Sequence, residues 1–288
     1  MNGRPVASRS RTPMPGRRSR PVRRASAGLS VVRAGAALAM LVSAAAIYGV
    51  ASSSAFDYAK LQLQGVTFTD QNAVEATLAD ARGRNLFGLS TVGLVAALES
   101  MPTVESARVE VQLPGTLAVT LAERQPVLIW RAGDQRFLVD ARGTLFSELS
   151  GEPPAAAARL PVIDDRRVAS QRLEVGGTLD PVDLDAATRL ASLRPTDIGS
   201  SAVSLDLSVT DPDGFRVEAK PAAWSAVFGF YTPSLRTTEL IPEQVRLLRS
   251  LLIGREPKLD RIILASGTDG TYTPRATPSP STKPSKRP

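Results

Sequence analysis

The hydrophobic pattern separates an apolar N-terminal segment from a long region of alternating strands and helices. Residues 34–56 carry no charged side chain. As a helix that rises about 1.5 Å per residue, this segment is long enough to cross a hydrocarbon core of about 30 Å. Because Ala and Ser dominate it, a signal peptide is the alternative, with Ser53 and Ala55 as the small residues before the cleavage site. The pattern favours an uncleaved transmembrane helix at residues 34–56.

The next region, residues 57–124, follows the order strand, helix, helix, strand, strand. Leu61 and Leu63 alternate with polar residues, which indicates a half-buried first strand. Thr69 or Asp70 is placed to cap the first helix and Ser90 the second. Two alternating stretches follow on either side of a Pro-Gly turn. The sequence therefore predicts a small α+β domain.

Residues 125–268 predict a second domain that is richer in strands. The pattern indicates strands at 127–130, 136–139 and 144–146, helices at 181–194 and 242–252, and a terminal apolar strand at 261–265. Asp180-Pro181 marks a helix start, because a cap residue precedes a proline at the first helical position. The segment 269–288 is rich in Pro, Ser, Thr and Lys, and it is predicted to be a disordered tail.

Charge gives the predicted membrane topology. The net charge is +7, but the segment before the apolar stretch, residues 1–33, contains arginines and no acid. This asymmetry predicts a disordered cytoplasmic tail at 1–33 and an extracytoplasmic region from Asp57 onward. The basic residues lie in Pro- and Ser-rich arms that lack aromatic residues for base stacking, so we do not expect nucleic-acid binding.

Composition also limits the chemistry. The chain has no His and no Cys, which excludes a Ser-His-Asp triad, a Cys-His pair and a zinc site of the usual His/Cys kind. Adjacent acids such as Asp164 and Asp165 could act as an acid and base pair, but acids in loops are more often turn residues. We therefore predict no catalytic residue, no metal ligand and no cofactor, and a protein that is not an enzyme.

Four stretches carry a resemblance to a known family. They are LQLQGV at 61–66, GRNLFGLS at 83–90, LESMPTVESARVEVQLPGTLAVTLAERQPVLIW at 98–130 and FLVDARGTLF at 137–146. Together they resemble the POTRA domain and following segment of the FtsQ/DivIB family of bacterial cell-division proteins. The resemblance continues more weakly to about residue 266.

The resemblance implies an α+β fold with one transmembrane helix, a POTRA domain at 57–124 and an FtsQ-type β domain at 125–268. It implies a single-pass scaffold of the divisome in the cell membrane at the septum. The partners implied are membrane division proteins of the FtsB/DivIC and FtsL types, and further division proteins could contact the POTRA domain. The alternatives are a secreted or anchored cell-wall-processing enzyme and a POTRA-type secretion or assembly component.

The predicted partner-binding site is the C-terminal strand. An exposed apolar edge strand can accept a chain from a partner by strand addition. In the resembled family, the C-terminal part of the ectodomain binds the FtsB/DivIC-type protein. The matching positions here are Ile262, Ile263, Leu264, Ala265, Ser266 and Gly267, with Tyr272 as an aromatic contact. The plainer alternative is that this strand only completes the sheet.

Overall fold

The computed structural model describes residues 31–276. Its first element is helix α1 (Val31–Ala51), which alone among the described helices is long and apolar enough to cross a membrane. The span predicted at 34–56 is therefore shifted. Val31 and Val32 extend the helix backward, while the hydroxyls of Ser52 and Ser53 each donate 2.7 Å hydrogen bonds to helix carbonyls at its end. Most of the predicted basic tail, residues 1–30, lies outside the described residues.

The region from Ser54 onward is a separate compact unit. It opens with the predicted strand, helix, helix, strand, strand order, which the structure confirms. The elements are β1 (Lys60–Gln64), α2 (Gln71–Thr77), α3 (Thr91–Glu99), β2 (Val104–Gln112) and β3 (Thr116–Glu123). The sheet order is β1-β3-β2, with β1 parallel and β2 antiparallel to β3.

Local sequence signals explain this first domain in part. Asp70 caps α2, because its carboxylate accepts the N–H of Asn72 at 3.0 Å. Ser90 stands at the N-cap of α3, but its side chain makes no capping hydrogen bond, so that predicted role is wrong. Val74, Leu98 and Leu117 are among the side chains that pack the two helices onto one face of the sheet.

The second domain is a nine-stranded mixed sheet with two helices. Its elements are β4 (Pro126–Ala132), β5 (Gln135–Asp140), β6 (Leu145–Glu148), β7 (Val162–Asp165), α4 (Pro181–Ala191), β8 (Ser204–Thr210), β9 (Gly214–Lys220), β10 (Ser225–Gly229), α5 (Ile241–Leu252), β11 (Leu259–Leu264) and β12 (Gly270–Pro274). The strand order is β12-β11-β10-β9-β8-β7-β4-β5-β6. The β4–β5–β6 meander and the start of α4 after the Asp180 cap confirm the sequence predictions.

The two faces of this sheet differ because side chains alternate along each strand. One face packs against α4 and α5 and carries Trp130, Phe215, Trp224, Phe228 and Ile262 in a continuous core. The opposite face carries a row of ion pairs, which are Arg131–Asp164, Arg166–Asp164, Arg216–Glu218, Lys220–Asp206 and Arg261–Asp213. The helices therefore leave the charged face uncovered along most of β7 to β11.

The C-terminal tail differs from the prediction. Residues 270–274, which were expected to be disordered, form β12 and pair with β11. Thr and Tyr, which favour strands, alternate there, and β11 supplies the partner strand that makes the pattern stable. The remainder of the predicted tail, residues 277–288, lies outside the described residues.

The loop before α2 contacts both the end of β3 and the second domain. The buried carboxylate of Glu123 accepts the backbone N–H groups of Thr67, Phe68 and Thr69 at 2.7 to 3.0 Å. The ring of Phe68 then meets the ring of Phe146 in β6 edge-on, with centroids 5.7 Å apart. Glu123 therefore fixes the loop within the first domain, and the ring contact ties that loop to the second domain.

Candidate partner-binding edge

The predicted binding strand, β11, has neighbours on both sides. It pairs in parallel with β10, where Ala226 lies beside Ile262, and antiparallel with β12, where Tyr272 lies beside Ile262. The expectation that β11 has a free edge is therefore wrong. The physical reason is the tight turn after β11, in which Asp269 accepts the N–H of Ala265 at 2.9 Å and brings the chain back.

The strand at this edge of the sheet is β12, and all five of its residues are exposed. Antiparallel pairs alternate between bonded and non-bonded positions. Since Ala265 bonds to Asp269, the bonded pairs that follow are Ile263 with Thr271 and Arg261 with Thr273. The N–H and C=O of Tyr272 therefore point away from β11, toward the open side of the sheet.

The structure brings the seven predicted residues into one hairpin but gives them different environments. Ile262 and Leu264 are buried in the core beneath the helices. Ile263 is 41% exposed on the charged face, whereas Tyr272 is 50% exposed on the face of α5, because it shares the pleat of Ile262. Ala265 is exposed at the end of β11.

Ser266 and Gly267, the other two predicted residues, lie in the turn. The hydroxyl of Ser266 accepts the N–H of Asp269 at 2.9 Å. A side chain at Gly267 would meet Glu243 of α5, since an added Cβ would lie 2.6 Å from the Cβ of Glu243. Ser266 therefore shapes the turn, and the absence of a side chain at Gly267 lets the turn lie close to α5.

Two residues outside the predicted set, Arg236 and Gln244, hold the start of this turn. Arg236 donates to the carbonyls of Phe228 and Leu264 at 2.7 and 2.8 Å, and Gln244 donates to the same two carbonyls at 3.1 and 2.8 Å. The hydroxyl of Tyr231 donates to Gln244 at 2.7 Å, and burial raises the pKa of Tyr231. The local sequence gives no signal for these roles, because Arg236 donates its hydrogen bond to the carbonyl of Leu264, 28 residues away.

Glu256 holds the chain just before β11. Its carboxylate accepts the indole N–H of Trp224 at 2.8 Å, the N–H of Ser201 at 2.9 Å and the hydroxyl of Ser200. Burial acts to raise the pKa of Glu256, but these hydrogen bonds outweigh it, and the pKa lies below its ordinary value. The carboxylate is thus held ionised as a structural anchor.

The acids considered for catalysis have structural partners. Asp165 accepts from Trp130 at 3.1 Å and from Arg167 at 2.8 Å, while Asp164 pairs with Arg131 and Arg166. Burial acts to raise the pKa of Asp164, but its two arginines lower it below the ordinary value. Within residues 31–276, no group of three or more His, Cys, Asp or Glu could hold a metal ion.

The fold and this edge define a POTRA-containing protein with an apolar N-terminal helix and a large mixed sheet. Residues 56–124 match the family model described as "POTRA domain, FtsQ-type". Similar curated proteins are named "Cell division protein FtsQ". Those of Chloroflexus aggregans and Chloroflexus aurantiacus are 31% and 30% identical over 172 residues, which are 60% of this chain and 61% of each relative. That of Mycobacteroides abscessus is 30% identical over 148 residues, 49% of this chain and 45% of the relative.

The chain is thus similar to curated FtsQ proteins of several bacteria, and its residues 56–124 match an FtsQ-type POTRA domain. The matched region spans about three fifths of the length of the two Chloroflexus relatives.

Proposed function

We propose that this protein is a non-enzymatic, single-pass membrane scaffold of the divisome. Its extracytoplasmic domains recruit and position membrane division proteins of the FtsB/DivIC and FtsL types at the septum. The N-terminus is cytoplasmic, in keeping with the arginines that precede the apolar helix. The FtsQ-type POTRA match, the similarity to curated FtsQ proteins and the candidate membrane helix α1 support this proposal.

One observation carries the proposal: β12 is an exposed edge strand at the end of a nine-stranded sheet. A strand from a partner can pair with the outward N–H and C=O of Tyr272 and extend the sheet by one strand. Among the predicted positions, Tyr272 then contributes both backbone and side chain. The buried Ile262 and Leu264 act indirectly, because they fix β11 and through it the edge.

Membrane anchoring adds to this contact. When both proteins are held in one membrane, their domains meet at a high effective concentration, so a short strand contact is sufficient for stable association. Recruitment then needs no covalent chemistry, which agrees with a role as a scaffold.

The test compares Tyr272→Pro with Tyr272→Ala in the full-length chain. Both remove the aromatic side chain, but only proline removes the outward N–H, and proline is tolerated on the open side of an edge strand. The FtsB/DivIC-type protein of the same organism is co-expressed with a tag and captured from detergent-solubilised membranes. We expect Tyr272→Pro to reduce co-capture about tenfold and Tyr272→Ala to reduce it less.

Undiminished co-capture by Tyr272→Pro, with a normal unfolding temperature, would overturn binding at β12.

Topology is checked separately with a C-terminal tag in intact cells from which the outer barrier has been removed. External protease should remove that tag and leave an N-terminal tag intact. The reverse pattern would contradict the proposed orientation.

A further inference from the structure

One end of the POTRA domain is formed by three chain segments that come from different parts of the sequence. Phe56 packs on Phe87 with ring centroids 5.1 Å apart, and Asp57 forms a β-bridge with Asn85. The carbonyl of Gly115, in the turn after β2, accepts the backbone N–H groups of Ala59 and Lys60 at 2.9 and 3.0 Å. The segment that enters the domain, the turn around Phe87 and the β2–β3 turn therefore meet at this end.

This end exposes large apolar side chains, and we call Phe56, Phe87 and Leu113 the apolar tip. Phe87 is 56% exposed and Leu113 is 52% exposed, while Phe56 is half-buried. Isolated exposed apolar residues are ordinary on a protein surface, but these three lie on segments that meet at one end of the domain. The turn holds Phe87 outward, because Leu86 is buried beside it and the side chain of Asn85 accepts the N–H of Phe87 at 3.0 Å.

Positive charge accompanies the apolar tip. Arg82 and Arg84 are exposed, and the segment 81–92 that carries them contains no acid. Lys60, on the segment that enters the domain, is also exposed. The acids nearest in sequence to these residues are Asp57 on the entering segment and Asp80 before residue 81. Aromatic and aliphatic side chains bordered by arginines are typical of surfaces that enter the headgroup layer of anionic membranes.

Chain connectivity favours lipid over other occupants. Only residues 52–55 separate Phe56 from the last residue of α1. An extended chain advances at most about 3.6 Å per residue, so these four residues limit the distance between Phe56 and the end of α1. With α1 anchored in the membrane as proposed, this short linker keeps the apolar tip within reach of a headgroup layer, which accepts aromatic side chains and attracts arginines.

We infer that the apolar tip, with Arg82 and Arg84, binds the headgroup layer of an anionic bilayer. Phe87 and Leu113 enter the boundary between headgroups and acyl chains, and the guanidinium groups of the arginines pair with lipid phosphates. This contact holds the POTRA domain at the membrane surface. It thereby limits how far from the membrane the second domain can present its binding edge. The inference rests on the proposed membrane anchoring by α1.

The test places a tryptophan in the apolar tip. Full-length protein carrying Phe87→Trp is reconstituted into vesicles of equal parts phosphatidylglycerol and brominated phosphatidylcholine. Bromine quenches tryptophan that reaches the lipid, and the native Trp130 and Trp224 are buried in the second domain. We expect strong quenching of the Phe87→Trp emission. Leu235→Trp, at a position 93% exposed in the second domain, is the matched control and should not be quenched.

The charge requirement is measured in the same assay. Replacing Arg82 or Arg84 with glutamine should lower the ratio of lipid-bound to unbound apolar tip about fivefold for each arginine. Neutral vesicles should lower this ratio further. Leu113→Trp provides a second reporter if Phe87→Trp does not fold. Quenching that is equal in neutral and anionic vesicles would overturn the anionic specificity.

Vesicle flotation separates the two proposals. If the full-length chain floats with the vesicles but neither tryptophan reporter is quenched, the apolar tip does not bind lipid and the inference fails while anchoring stands. If the chain does not float, anchoring by α1 fails and the inference fails with it.

Discussion

The two edge strands of the nine-stranded sheet are treated differently by the rest of the chain. At β6 the outer side is partly covered, since Leu145 donates its N–H to Gly177 at 2.9 Å and accepts the N–H of Gly176 at 2.7 Å. Leu179 continues this cover by donating to Gly143 at 2.9 Å. Within residues 31–276, no backbone hydrogen bond reaches the outer side of β12.

The difference shows which edge is available for pairing. An uncovered edge strand invites other chains, and proteins usually protect such edges. The backbone of the chain itself covers part of β6. By contrast, β12 is short and ends at Pro274, and both features limit nonspecific pairing at that edge. One edge is therefore covered by the chain itself, and the other, β12, is the edge at which we propose partner binding.

The largest expected effect on stability is the difference between removing both β11 and β12 and removing β12 alone. A chain that ends at Lys258 loses β11 with its buried Ile262 and Leu264, and each such side chain contributes about 2–5 kcal/mol. We expect the second domain to lose cooperative unfolding, while a chain that ends at Asp269 keeps it. Urea unfolding of the two truncated proteins measures this. Equal losses in both would mean that β12 is part of the core rather than an exposed addition.

A smaller effect should come from Glu256, which anchors the chain before β11. Glu256→Gln should lower the free energy of unfolding at pH 7 by about 2 kcal/mol, because it removes the charge that three donors stabilise. Since the folded-state pKa is below the ordinary value, the native protein holds this stability near neutral pH and loses it as pH falls through the folded pKa.

Unfolding measured between pH 7 and pH 3 checks the Glu256 prediction. Part of the acid-induced loss should disappear in Glu256→Gln, and the remainder belongs to groups such as Asp140 and Asp185, whose pKa values are also lowered against an opposing effect of burial. Glu152→Gln, at an exposed position, is the matched control. An unchanged pH dependence in Glu256→Gln would contradict the anchoring role.

The smallest effect tests the covered edge. Gly143 has φ +85, where an L-side chain is strained, and an added Cβ would lie 3.4 Å from the carbonyl oxygen of Leu179. Gly143→Ala should cost about 1–2 kcal/mol and speed hydrogen exchange at the Leu179 amide. Gly133→Ala is the control, because Gly133 also has positive φ but open space around it. Equal costs would mean that backbone strain alone explains the loss.

The sequence predicted elements well where the signal was local. The cap at Asp70, the Asp180-Pro181 helix start and the meander from β4 to β6 all depend on neighbouring residues, and the structure confirms them. The segment 270–274 was missed because its few alternating residues become a strand only beside β11. Its Thr-Tyr-Thr alternation was the one available signal.

The sequence by itself determined the apolar helix, the order of the POTRA elements and the strand-rich character of the second domain, because periodicity and capping are properties of adjacent residues. Only the tertiary structure decided which strand forms the open edge. Strand order depends on pairing between segments that are distant in the chain, and on contacts such as that of Arg236 with Leu264. The same long-range packing decided that Ile262 and Leu264 are buried and that Tyr272 presents its backbone outward.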